Sequence, residues 1–303
     1  MYKQELAQIK KLVSANLWEL LADQGCMIAG GAVTSVFTNK PVNDIDVYFP
    51  SQEAFTKVVA EIYGRSEHTI VTDFDIDFGD AHVLHVTKKA LLLQSEQQDV
   101  QLIGYQFYKN ATEIFDAFDF SINMAALCMK TEEFSMKNTF MKHNAQKYLH
   151  FNPKTTYPLI SALRVNKYRE RGYTISKSQM LRVLLAINLK QIDSWEKLID
   201  ELGGMYGTPP EEIFDTTKPF DLVYAMEALD NFEIKDTIIA NRPTIDDVIL
   251  TMSDSFVPEF IEKRKAYFND RNWRKNPYES NMNDKISTKK TGACTDDAFE
   301  FDC

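Results

Sequence analysis

The chain has 303 residues, 44% of them hydrophobic, with 44 acidic against 34 basic side chains and a formal net charge of −10. That length supports two domains of about 150 residues each, and the acidity argues against non-specific coating of polynucleotide, where phosphate neutralisation supplies most of the affinity. No apolar run approaches the roughly 20 residues of a membrane-spanning helix and the first residues lack a signal-peptide pattern, so a cytoplasmic enzyme is expected.

In chain order, Leu6, Ile9, Leu12, Val13, Leu17, Leu20 and Leu21 recur at helical spacing, which predicts one amphipathic helix over residues 3–24. Gly25 ends it, Cys26 to Ala29 form a strand, residues 32–38 a short helix, and Asp44 to Phe49 a second strand. Ser51 is placed to cap a helix running to about Tyr63. Segments around His68 to Phe78, Ala81 to Thr87 and Asp99 to Ile103 read as strands, Asn110 to Phe115 as a short helix, and Phe134 to Met141 as a further strand.

Beyond Pro158 the pattern turns helical, with helices expected at Leu159 to Arg171, Ser178 to Leu189, Ser194 to Leu202, Pro210 to Phe214, Pro219 to Leu229, Thr244 to Met252 and Val257 to Phe268. From about Asn276 the chain is polar and acidic, the composition of a disordered tail. The expected class is α+β: a mixed-sheet domain over 1–150, a helical domain over 151–275, and a tail over 276–303.

The chemistry concentrates near the start. Gly30 and Gly31 lack a Cβ, so their amides can approach a phosphate closely, and the helix behind them points its positive end at that phosphate. Asp44 and Asp46 then open an apolar strand. Residues two apart on a strand share a face at roughly 6.5 to 7 Å, so both carboxylates face one way while Ile45, Val47 and Phe49 face the core. Such a pair can share two divalent ions about 3.5–4 Å apart, the arrangement used in phosphoryl or nucleotidyl transfer. Oxygen ligands and a phosphate substrate point to Mg2+ or Mn2+ rather than zinc.

The Gly-Gly and Asp-x-Asp pair at this distance resembles the nucleotidyltransferase superfamily, which includes DNA polymerase beta and the CCA-adding enzymes. Its members carry a third carboxylate on a neighbouring strand, which the resemblance assigns to Asp99 in Gln98-Asp99-Val100-Gln101-Leu102-Ile103-Gly104. Phe115 to Ala126, with Asp119 and Asn123, is similar to the Arg-Arg-Asp-(Phe/Leu)-Thr-Ile-Asn-Ala motif of bacterial-type CCA-adding enzymes, which implies ribose or base contacts. Arg164 to Ile175 resembles the Arg-rich helix ending in Gly-Phe that follows their nucleotide-reading region. Ala117 and Phe118 stand where that family has two arginines, Thr34 and Ser35 where CCA-adding enzymes carry Val-Arg-Asp, and the acidic-Asp-x-x-Arg signature is not recognisable before Arg164. The pattern is nearer to uncharacterised nucleotidyltransferase-like proteins of bacteria and their phages.

The resemblance thus implies a metal-dependent enzyme that moves a nucleoside monophosphate from a nucleoside triphosphate to an acceptor hydroxyl. Asp44, Asp46 and Asp99 would hold the metal. Gly30, Gly31 and Ser35 would cradle phosphates, and Arg164 and Lys167 are candidates for triphosphate or base contact. Between residues 135 and 190 lie eleven basic side chains and the single acid Glu170, a band that suits a triphosphate or an RNA or tRNA end, or else a solvated helix face. A protein or small molecule as acceptor, and a non-catalytic nucleotide-binding member of the fold, are the alternatives.

Other patterns carry less. Asp73, Asp75 and Asp77 repeat the alternation but have no glycine pair upstream, and His82 and His85 fall on opposite faces of a regular strand. There is no Gly-x-Ser-x-Gly elbow and no phosphate-binding Gly-x-x-x-x-Gly-Lys-Ser/Thr loop. The four cysteines, Cys26, Cys128, Cys294 and Cys303, are too widely spaced for a Cys-x-x-Cys knuckle and suggest no disulfide framework.

Overall fold

The computed structural model describes residues 2–63, 82–86, 90–94, 97–202 and 213–230. The strand expected over His68 to Phe78, the aspartates at 73, 75 and 77, the helices at 244–252 and 257–268, and the 276–303 tail lie outside them, as do Cys294 and Cys303.

The expected N-terminal helix is two helices, α1 (Lys3–Lys10) and α2 (Ala15–Asp23). The apolar period continues through the break, but the Ser14 hydroxyl accepts from Leu17 N–H and starts a new helix there. Strand β1 (Met27–Ala29) leads into helix α3 (Gly31–Phe37), then β2 (Asp44–Tyr48) and helix α4 (Gln52–Tyr63), whose Ala54 N–H is capped by Ser51 Oγ at 3.1 Å. Strands β3 (His82–Val86), β4 (Ala90–Gln94) and β5 (Asp99–Ile103) follow. Then come helix α5 (Ala111–Ala117), a 3-10 turn at Ser121–Asn123, and the hairpin β6 (Ala125–Cys128) and β7 (Glu133–Met136).

The segment read as one strand from Phe134 to Met141 splits after Met136, and Phe140–Ala145 is helix α6, with Phe140 fully buried. Neither β4 nor β6 is foreseen in the sequence. Both are short apolar runs that gain strand geometry by pairing with neighbours already in the sheet. Helices α7 (Pro158–Glu170), α8 (Lys177–Leu189), α9 (Trp195–Leu202) and α10 (Leu222–Asp230) complete the described chain.

The seven described strands form one sheet in the order β3-β4-β5-β2-β1-β6-β7. Among them only β2 and β5 pair in parallel; every other neighbour is antiparallel, and β3 carries a register shift between Val83 and His85. Alternation sorts the sheet into two faces. Ile28, Ile45, Val47, Val100, Leu102 and Leu127 join the main core with α1 to α4, while Met27, Ala29, Tyr48, Ile103 and Ala126 join a second core against α5. A third cluster packs Phe120, Ile122, Leu149 and Phe151 against Val165, Tyr173, Val183 and Ala186, so α7 and α8 dock directly beside the sheet's hairpin end. Among the described residues no helix is long and apolar enough to cross a membrane.

Candidate active site

A cavity of about 540 Å3 opens between the sheet and α7. Strand β2 presents Asp44, Asp46 and Tyr48 to it, and α3 presents Thr34, Ser35 and, at its first residue, Gly31. From the opposite side α7 contributes Arg164, Lys167 and Tyr168, with Arg171 just past its end; the i, i+3, i+4, i+7 spacing puts all four on one helical stripe. The segment after α5 supplies Phe118, Asp119 and Asn123.

Gly30 and Gly31 do different things. Gly30 has φ +80° and ψ −129°, a conformation closed to side chains, and a Cβ there would meet the Phe118 ring at 3.4 Å and Asp46 Oδ2 at 3.9 Å. Gly31 is exposed, and a Cβ added to it would find nothing within 4 Å, so only a ligand would feel a methyl group there. The turn is locked by Thr34, whose Oγ1 lies 2.9 Å from the carbonyl oxygens of both Gly30 and Ile122 and shares its one proton between them.

Asp46 sits between Ala29 on β1 and Gln101 on β5, and Asp44 sits beside Asp99 in the same parallel register. Burial foremost, and the Asp44 carboxylate next, push Asp46 up to about 7, against the opposing pull of Arg164 and Lys167. A cation beside the two carboxylates would oppose the part of the Asp46 rise that comes from Asp44. Asp99 does not line the cavity that holds Asp44 and Asp46, and the residue directly abreast of Asp46 is the buried amide Gln101. Among the described residues no three His, Cys, Asp or Glu side chains are grouped to hold one metal ion.

On the far wall a buried polar network joins the two halves. Asp119, 3% exposed, accepts from its neighbour Phe120 N–H at 2.8 Å, from Asn123 Nδ2 at 3.4 Å and from Arg164 Nη1 at 3.3 Å. Asn123 Nδ2 also donates to the Tyr168 hydroxyl at 2.6 Å. Burial first, and then Asp119, push that phenol up to about 12, so it remains protonated at neutral pH.

Nine of the residues singled out in the sequence therefore line one cavity: Gly30, Gly31, Ser35, Asp44, Asp46, Asp119, Asn123, Arg164 and Lys167. The basic band divides. Lys154 pairs with Asp116 and Lys190 with Glu201, whereas Lys147, Lys167 and Arg171 face the cavity. Tyr48, Lys40 and Tyr168 are walls that sequence reasoning did not single out. Tyr168 was nevertheless within reach, because it falls four residues after Arg164 on one helical stripe.

The fold is α+β, a mixed sheet with flanking helices, continued by further helices. Residues 2–147 match the model of the Gabija anti-defense 2 family proteins. Over 261 residues the chain is 33% identical to Gabija anti-defense 2 of Bacillus phage SPbetaL7, covering 84% of this chain and 62% of that protein. The chain thus spans less than two thirds of the curated relative it matches.

Solved structures with a similar chain path include an apo CCA-adding enzyme at TM-score 0.46 and 12% identity, covering 77% of this chain and 54% of that one. A CCA-adding enzyme with ATP has TM-score 0.44 and 14% identity over 90% and 61%. The Thermotoga maritima CCA-adding enzyme complexed with tRNA has TM-score 0.42 and 14% identity over 85% and 56%.

Proposed function

We propose that this chain binds a magnesium-chelated nucleoside triphosphate in the cavity and transfers its nucleoside monophosphate to an acceptor hydroxyl, releasing pyrophosphate. The observation that carries this reading is the cavity that gathers the glycine turn, the Asp44–Asp46 pair and the cationic stripe of α7. Residues 1–150 would form the catalytic unit, with α7 of the following helical unit closing over it.

The donors fit magnesium. Mg2+ is commonly held by one or two carboxylates with phosphate oxygens and waters completing the shell, and Asp44 and Asp46 supply that many on one strand face. When bound, the ion neutralises phosphate charge and polarises the phosphoryl oxygens. Asp99, abreast of Asp44 but outside the cavity lining, is the proposed third carboxylate; to take the attacking hydroxyl's proton its side chain would have to turn into the cavity. The open Gly31 backbone and Ser35 would seat the outgoing phosphates, Asp119 and Asn123 would orient the ribose, and Arg164 and Lys167 would balance the triphosphate charge.

The anti-defense role in the relative's name supports an acceptor belonging to a bacterial defence system, a protein or small molecule; the basic α7 stripe also suits an RNA or tRNA end. A second reading, nucleotide binding without transfer, is favoured by Gln101 standing abreast of Asp46 and by Phe118 occupying the wall where the family motif has arginine.

Incubating wild type and an Asp44→Asn, Asp46→Asn double mutant with each α-labelled nucleoside triphosphate, Mg2+ or Mn2+, total RNA and cell extract tests both. Label in one fraction that the mutant fails to produce establishes transfer and names the acceptor class. Intact triphosphate binding with no label in RNA, protein or small molecules would sink transfer and leave the binding reading.

A further inference from the structure

Lys147 is one of the few non-glycine residues in the left-handed region, at φ 52°. That backbone is held from two sides. Its N–H donates to Asn144 O at 3.3 Å, and its carbonyl accepts from Thr174 N–H at 2.7 Å and from Thr174 Oγ1 at 3.3 Å. The result throws the side chain toward the cavity, where the ammonium lies 4.4 Å from the centroid of the Tyr173 ring. A lysine in αL is uncommon, and an uncommon backbone that persists is one its surroundings over-determine.

A chain of short contacts then links the ring beneath this ammonium to α3. Tyr173 OH donates to Asn144 Oδ1 at 2.7 Å, Asn144 Nδ2 donates to Ile122 O at 3.0 Å, and Thr34 Oγ1 lies 2.9 Å from that same carbonyl. Thr34 immediately precedes Ser35 on α3, so the Tyr173 ring is tied to the α3 wall by buried hydrogen bonds, and the Lys147 ammonium rests on that ring. Among the described residues no carboxylate pairs with Lys147, in contrast to Lys154 and Lys190, which reach Asp116 and Glu201 at 3.0 Å. The aromatic face steadies the cation without neutralising it.

We propose that Lys147 is an anion contact for the terminal phosphates of the bound nucleoside triphosphate, pre-positioned by its left-handed backbone and the Tyr173 ring. This rests on the nucleotide-binding reading above and adds a residue to it. The role is electrostatic and belongs to the β- and γ-phosphates, so it separates triphosphates from monophosphates.

Lys147→Gly isolates the ammonium, because glycine takes φ 52° without strain and the variant should melt no lower than wild type. Calorimetric titration of wild type, Lys147→Gly and Lys147→Arg with ATP, GTP, CTP and UTP in Mg2+, and with the four monophosphates, reads the effect. The expected result is a loss of triphosphate affinity of about tenfold to a hundredfold in Lys147→Gly. Monophosphate affinity should stay within about twofold, and Lys147→Arg should recover most of the loss. Triphosphate affinity unchanged in Lys147→Gly, or an equal loss for tri- and monophosphates, overturns the contact and leaves nucleotide binding standing. A wild type that binds none of these nucleotides overturns both.

Discussion

Arg164 Nη1 donates to Asp119 Oδ2 at 3.3 Å, and this contact ties α7 to the segment behind the sheet. The partners are unequal: the Asp119 side chain is 3% exposed and that of Arg164 44%. Removing the arginine therefore strands a buried carboxylate, whereas the arginine itself remains near water. Arg164→Met should cost about 1–3 kcal/mol in urea unfolding, because Asp119 keeps its Phe120 and Asn123 donors but loses its counter-charge contact in that network. A midpoint within error of wild type would show that the pair contributes nothing.

The two glycines should respond oppositely to a methyl group. Gly30→Ala forces a side chain into φ +80° against Phe118 and should cost at least about 1–3 kcal/mol. Gly31→Ala meets open space and should leave stability within about 0.5 kcal/mol while weakening triphosphate binding, since the added carbon projects toward the ligand. Equal melting temperatures for the two variants would contradict this division.

Without divalent metal, Asp46 makes stability fall as pH rises. Its folded value is raised to about 7 from an ordinary 3.8, so between those values the folded state holds a proton that the unfolded state has released. The unfolded state then binds fewer protons and stability declines across that window, levelling above about 7. Thermal melts from pH 4.5 to 8 in chelator should show the decline, and Asp46→Asn should flatten it. Added Mg2+ at pH 7.5 should raise the wild-type melting temperature and not that of the Asp44→Asn, Asp46→Asn variant.

The orientation of α7 depends on a carboxylate from another helix. Glu201 on α9 is 4% exposed; it meets Lys190 Nζ at 3.0 Å and accepts from Leu159 N–H at 3.4 Å, in the first turn of α7, where Tyr157 offers no side-chain cap. Lys190 Nζ also donates to Thr156 O at 2.6 Å. Glu201→Ala should destabilise by about 1–3 kcal/mol, less than for a fully buried pair because Lys190 can return to water. Glu201→Gln should lose less, keeping an acceptor for the helix end. Chemical denaturation of the two variants side by side checks the order.

Much of the fold was legible because local rules and tertiary environment agreed. Asp99 to Ile103 is a strand by period and by structure, the Ser51 cap holds, and α7 to α9 fall within a residue or so of their periodic apolar stripes. Agreement failed where a short segment takes its conformation from a partner. Strands β4 and β6 are four or five apolar residues with no distinctive period, and pairing with β5 and β1 makes them strands. The helix break at Ser14 turned on one hydroxyl choosing a cap over the helix interior.

The sequence by itself determined the chemistry available: a glycine pair, two carboxylates two residues apart on a strand, and a basic helix, all legible because glycine, aspartate and spacing carry local constraints. Tertiary structure alone decided which of these share a cavity. The parallel β2–β5 register set Asp99 abreast of Asp44 and Gln101 abreast of Asp46, and the docking of α7 turned Arg164, Lys167 and Tyr168 inward. It also brought four of the eleven basic residues of the band, Lys147, Arg164, Lys167 and Arg171, to that cavity. Register and helix docking depend on burial summed over many distant contacts, and no local pattern encodes that sum.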